Sequence, residues 1–240
     1  MKFEEAASVL DGIPYTSTAK GRFFYDFIMK NRPRNVLELG FAHGTSTCYF
    51  GAALQEYGGR IDAVDLMIDR DPDLESLRQK LNLNDTITAH REHSSYTWFL
   101  KKKIEEQTKD NYCTPLYDFC FIDGPKDWTN DGCAFFLVDK LLKNNGWIMF
   151  DDYSWTYKIQ KREEGYIFPK LSDDEKSLPQ IEAVFRLLVT QHPSYANFEV
   201  HNDSLAFAQK TSAGERTMKL TTQLSPLYTI KKAMKRLVGK

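Results

Sequence analysis

Apolar positions along the chain follow two periods, short runs of strand length and longer stretches recurring every three or four residues. Phe23, Phe24, Phe27 and Ile28 share one side of a first predicted helix, from near Thr18 to Met29, which Pro33 helps to end. Asn35 to Leu39 (NVLEL) reads as a short buried strand, followed by a glycine-containing turn and a helix resuming near Thr45. Arg60 to Asp65 is a second strand after the Gly58-Gly59 turn, Thr86 to His90 a third, and Tyr117 to Ile122 a fourth. Ala134, Val138 and Leu141 recur at helical spacing, Asn144-Asn145-Gly146 is expected to end that helix, and Trp147 to Phe150 is a fifth strand. This alternation predicts an α/β fold, a parallel sheet with helices on both faces.

Beyond the fifth strand the pattern changes. Residues 153–178 are polar with scattered aromatics, and Pro179 opens a helix whose stripe is Ile181, Val184, Phe185 and Leu188. Phe198 to Val200 and Leu205 to Ala208 flank His201-Asn202-Asp203-Ser204, a hairpin signal where a regular dinucleotide-binding domain would cross over. No repeat or linker divides residues 1–240, so one domain is expected, with an N-terminal helical segment over 1–30 and a basic amphipathic tail over 215–240.

A chain of 240 residues can bury a substantial core. Its formal net charge of −1 implies no general nucleic-acid affinity. No apolar run approaches the roughly 20 residues of a membrane helix. The opening MKFEEAASVL lacks a basic region followed by a long apolar core, and Cys48, Cys113, Cys120 and Cys133 lack metal spacing. Both point to a cytoplasmic protein with reduced thiols.

The densest chemistry lies in VLELGFAHGTST, Val36 to Thr47. Gly40 and Gly44 let the backbone turn sharply and approach a ligand. The spacing E-x-G-x-x-x-G differs from the G-x-G-x-x-G that suits a pyrophosphate. Glu38, at the carboxyl edge of the first strand, suits a ligand with a positive ammonium, such as a methionine moiety. Asp65 ends the second strand, where an acid can accept hydrogen bonds from both ribose hydroxyls. After the third strand, Glu92-His93-Ser94 are within reach of an adenine, or are ordinary loop residues.

With IDAVDL, YDFCFIDGPKDW and GWIMFDDY, this loop resembles the class I S-adenosylmethionine-dependent methyltransferases. The likeness spans about residues 15–210. It is nearest to the small-molecule O-methyltransferases that include catechol O-methyltransferase and the antibiotic and macrolide-sugar enzymes. The resemblance implies a Rossmann-like, mostly parallel seven-stranded sheet with a C-terminal antiparallel hairpin. It also implies that Glu38, Gly40, His43, Gly44, Thr45, Ser46, Asp65, Leu66, Ser94 and Asp123 hold S-adenosylmethionine.

Asp123 ends the fourth strand, and Asp151 and Asp152 end the fifth, on the same edge of a parallel sheet. Three converging carboxylates repel unless protons, cations or a metal compensate them. All-oxygen ligands suit a hard divalent ion, magnesium first, and the matching acids bind that metal in the resembling family. Lys126, three residues after Asp123, corresponds to a lysine of the catechol enzyme and is the candidate general base, with His43 the alternative.

Tyr153, Trp155, Tyr157, Tyr166 and Phe168 are candidate walls of an acceptor pocket, or plain core, and Lys158, Lys161 and Arg162 accompany them. The expected reaction is methyl transfer to a hydroxyl of a small molecule, a sugar, glycan or natural product. The alternatives are a metal-independent N- or O-methyltransferase, an NAD-dependent oxidoreductase, which the glycine spacing and hairpin disfavour, and a silent cofactor-binding partner. In the tail, Ser225-Pro226 starts a helix with Leu227, Ile230, Met234 and Leu237 opposite Lys231, Lys232, Lys235 and Arg236. That helix is expected to dock on the body or on a second subunit of a homo-oligomer, more than on an anionic membrane.

Overall fold

The computed structural model describes residues 1–159, 171–211 and 221–238. Two helices lead, α1 (Phe3–Leu10) and α2 (Thr18–Asn31). Then come β1 (Asn35–Leu39), α3 (Thr45–Gln55), β2 (Arg60–Leu66), α4 (Leu74–Lys80), β3 (Ile87–Glu92) and α5 (Tyr96–Gln107). A small antiparallel pair, β4 (Thr108–Lys109) and β5 (Tyr112–Cys113), precedes β6 (Tyr117–Ile122), α6 (Trp128–Leu141) and β7 (Leu142–Phe150). The last elements are α7 (Asp173–Ser177), α8 (Gln180–Val184) continuing as a π-turn to Val189, β8 (Tyr195–His201), β9 (Leu205–Lys210), β10 (Thr221–Gln223) and α9 (Pro226–Val238).

Among the described residues the main sheet has eight strands in the order β10-β8-β9-β7-β6-β1-β2-β3. β3, β2, β1, β6 and β7 are parallel, and β9 runs antiparallel between β7 and β8. Alternate strand residues feed opposite faces. Val36, Phe119 and Phe121 pack with α1 to α4, while Leu37, Leu39, Cys120 and Ile122 pack with α5, α6 and α8. The order reverses between β1 and β6, so the carboxyl ends of those strands open a crevice, the usual ligand position of an open α/β sheet.

Several expectations need correcting. The sheet gains an eighth strand because β10, three exposed residues, pairs parallel to β8. α1 lies ahead of the helix expected to come first, and buries Phe3, Ala6 and Leu10. Asn144-Asn145-Gly146 does not end a helix: α6 stops at Leu141 and these residues bulge within β7. The register slips there between Tyr117 and Phe119, and Asn145 takes φ 66°, which asparagine tolerates better than most residues. No helix among the described residues is long and apolar enough to cross a membrane.

Candidate active site

The cofactor-type loop is built on close approach. Gly40 has φ 88°, and a Cβ there would lie 2.1 Å from the Asp123 carbonyl oxygen. The loop after β1 therefore rests on the end of β6, and only glycine fits. Gly44, at φ 91°, caps α3, and a Cβ would strike Leu74.

Glu38 is fully buried and accepts hydrogen bonds from the hydroxyls of Ser46 (2.5 Å) and Thr47. Burial pushes it up to about 8, with the two hydroxyls opposing. Glu38, Ser46 and Thr47 thus fasten the first turn of α3 under the loop. Thr45 is buried too, its hydroxyl 3.5 Å from the Pro14 carbonyl.

Asp65, half-buried at the end of β2, accepts from the backbone N–H of Phe41 (3.0 Å) and Ala42 (2.5 Å) through one oxygen. Its other oxygen accepts from Leu66 N–H at 2.6 Å. A carboxylate offers about four acceptor positions, so Asp65 can shape the loop and still meet a ribose hydroxyl. His43 Nδ1 lies 2.7 Å from the Pro72 carbonyl, which makes that nitrogen the donor, and its ring stacks on Tyr15. None of these His43 contacts belongs to the acidic cluster. Ser94 and His93 are exposed, and Glu92 is buried and paired with Lys102.

At the ends of β6 and β7 the three acids converge: Asp123, Asp151 and Asp152 each offer an oxygen within 4.8 Å of the others. Asp151 is held in line by its N–H on the Ile122 carbonyl, and Asp152 takes φ 55°. Lys126, at φ 66°, puts its ammonium 2.5 Å from Asp123 and 3.5 Å from Asp152. Left-handed backbone at two non-glycine residues of one cluster is strain that the surrounding fold holds in place.

Sequence reasoning missed the fifth member. Lys20, in the first turn of α2, lies 2.6 Å from both oxygens of Asp151. Its only local signal is Ser17, whose side chain accepts from Lys20 N–H and caps the helix. Three carboxylates then face two ammonium groups. Burial raises Asp123 to about 8, and Asp151 and Asp152 add to the rise while Lys126 opposes it. Burial works against the charge on Lys126, but Asp123, Asp152 and Asp151 outweigh it and hold its pKa above the ordinary lysine value.

Behind the cluster, Tyr96 donates to buried Asp131 at 2.5 Å, and both press on Gly124. Asp127 caps α6, and Gln180 accepts from Trp128 N–H at 2.7 Å. In front, the Tyr157 hydroxyl donates to the Pro125 carbonyl at 2.5 Å, and Trp155 packs edge-on against Tyr157 at 4.7 Å. Tyr153 is core, packed on Phe185. Lys161, Arg162, Tyr166 and Phe168 lie outside the described residues.

Residues 37–153 match a family model described as a methyltransferase domain. No curated protein matches the chain in sequence. Among solved structures, the fold is similar to an O-methyltransferase from Bacillus cereus in complex with S-adenosylhomocysteine. That pair has a TM-score of 0.61 and 22% identity over 87% of this chain and 90% of the other. An O-methyltransferase of tomaymycin synthesis from Streptomyces achromogenes, in complex with S-adenosylmethionine, gives 0.59 and 16% over 88% and 89%. A methyltransferase from Podospora anserina, bound to S-adenosylhomocysteine, gives 0.62 and 15% over 87% of both chains. At these identities the likeness is one of fold.

Proposed function

We propose that this chain, a methyltransferase of the class I fold, transfers the methyl group of S-adenosylmethionine to a hydroxyl of a small acceptor. The acceptor would sit at the Asp123, Asp151 and Asp152 cluster and be a sugar, a glycan or a natural product. The observation that carries this reading is the contact of Gly40 with Asp123, which brings the cofactor-type loop against the acidic cluster. The four free cysteines fit a reducing compartment, the cytoplasm.

The donor set fits a hard divalent cation: carboxylate oxygens only, gathered from two strand ends. Asp123, Asp151 and Asp152 would hold it, and a bound ion would lower the pKa of an acceptor hydroxyl. The chain's own part is placement. Gly40 and Asp65 set the loop that would hold S-adenosylmethionine. When bound, it would supply the methyl group to the acceptor oxygen and leave as S-adenosylhomocysteine, and the hydroxyl proton would pass to a base. Of the two lysines at the cluster, Lys126, beside Asp123 and Asp152, is the one assigned to that proton. As the protonated partner of Asp123 and Asp152 it becomes a base only when other positive charge takes over those carboxylates.

A second reading has an observation of its own. Lys20 and Lys126 already bring two positive charges to the acids, so the cluster can orient an acceptor without a metal. Methyl transfer from labelled S-adenosylmethionine to a panel of vicinal-diol sugars and catechols tests the main reading. Turnover that chelator abolishes and magnesium restores supports it, and full turnover in excess chelator supports the second. Calorimetry that finds binding of NAD, but not of S-adenosylmethionine, overturns both.

A further inference from the structure

α9 carries an apolar stripe with no packing partner among the described residues. Leu227, Ile230 and Met234 are 74, 57 and 60% exposed. The other side of the helix is tied to the turn between β8 and β9. Ser225 N–H donates to Asn202 at 2.7 Å, the Tyr228 hydroxyl donates to Asp203 at 3.1 Å, and Lys232 pairs with Asp203. At 3.6 residues per turn, Tyr228 and Lys232 lie on the side away from Ile230 and Met234. The tether therefore turns the stripe outward, against the expectation that it docks on the body.

Charge is segregated in the same segment. Residues 221–240 hold five basic residues and no acidic one, in a chain whose formal net charge is −1. An apolar face flanked by lysines is the chemistry of a helix lying in the interface of an anionic bilayer. A second copy of the chain fits less well. One stripe on a helix about 20 Å long covers far less than the roughly 800 Å² per partner of a stable interface. Pairing two such stripes would also bring like charges together.

The anchor point joins this surface to the acidic cluster. The carbonyls of Ser204 and Asp203 accept from the N–H groups of Tyr153 and Ser154, the two residues after Asp152. We propose that α9 docks the chain on an anionic lipid surface and so presents the acidic cluster to an acceptor hydroxyl carried in that surface. The docking stands on α9 alone, and the lipid-borne acceptor rests on the methyl-transfer reading.

The test is co-sedimentation of the full chain with vesicles of phosphatidylcholine alone or mixed with phosphatidylglycerol. Binding to the mixed vesicles only, weakened by salt, is expected. The triple variant Leu227→Glu, Ile230→Glu, Met234→Glu should lose at least about tenfold in partitioning, because each apolar side chain gives up its burial. Its circular dichroism and its affinity for S-adenosylmethionine should be unchanged. Equal binding by the triple variant, or no vesicle binding by the parent chain, overturns the docking. So does a dimer in light scattering that the triple variant abolishes, since the face then belongs to a second copy. Vesicle binding by a chain that fails to bind S-adenosylmethionine would keep the docking and overturn the lipid-borne acceptor together with the methyl-transfer reading.

Discussion

Lys20 grips Asp151 from 131 residues away, its ammonium 2.6 Å from each carboxylate oxygen. The pair lies largely out of solvent, with the side chains 22% and 6% exposed. Burial alone would lower the pKa of Lys20, but Asp151, Asp123 and Asp152 outweigh it and raise it above the ordinary lysine value. Helix α2 is thereby tied to the carboxyl end of β7.

Removing one member of such a pair leaves a buried charge uncompensated. Lys20→Met should therefore destabilise the metal-free chain by about 3 kcal/mol in urea unfolding. Added magnesium should restore part of that loss, as a cation takes the place of the ammonium at Asp151. A Lys20→Met chain as stable as its parent would show that the ion pair adds nothing to the fold.

Glu38 predicts a pH dependence. Its folded pKa, about 8, lies above the ordinary 4.5, so the folded chain holds this proton more tightly than the unfolded chain does. The stability it contributes is fully present below the ordinary value and is lost as the pH rises through about 8. Asp123, raised to about 8, and Asp131, pushed up to about 7 by burial, act in the same direction. The parent chain should lose urea resistance between about pH 5 and pH 9, and Glu38→Gln should flatten part of that decline. Parallel curves for the two would remove Glu38 as the source.

Much of this arrangement was legible in the sequence. β1 and β6 fall where the apolar runs place them, and helix α3 starts at Thr45 because Gly44 can take a positive φ. The acids meet because two short apolar runs of a parallel sheet end at the same edge, which periodicity predicts without knowledge of side chains. Lys20 was not legible, since nothing in Ser17-Thr18-Ala19-Lys20 marks an ion pair with a strand added so much later. Nor was the inward turn of Glu38, because the hydroxyls that hold it stand eight and nine residues on and read as ordinary helix starters. β10 escaped notice because three exposed residues carry no apolar alternation.

Asp65 should matter to the cofactor in two ways, through its own acceptor capacity and through the loop it shapes at Phe41 and Ala42. Asp65→Ala should weaken S-adenosylmethionine by about 1.5–3 kcal/mol in calorimetry, the range for hydrogen bonds to a charged group. Asp65→Asn keeps an acceptor and should lose less. Unchanged affinity in Asp65→Ala would place the ribose elsewhere.

Lys126 tests whether the cluster moves a proton or only balances charge. Its ammonium is held by Asp123 and Asp152, which favour the charged form, while a cation at the acids and the cofactor's sulfonium would disfavour it. If lysine takes the hydroxyl proton, Lys126→Met should lower kcat by about 10²–10⁴ with little change in cofactor affinity. The rate should then also lose its rise with pH. Lys126→Arg separates the two roles, because arginine keeps the positive charge but does not give up its proton in proteins. A base cannot be replaced in that way, so Lys126→Arg should be as slow as Lys126→Met. Near-parental kcat in Lys126→Arg would make Lys126 a fixed cation that positions Asp123, and the proton would then leave by another route.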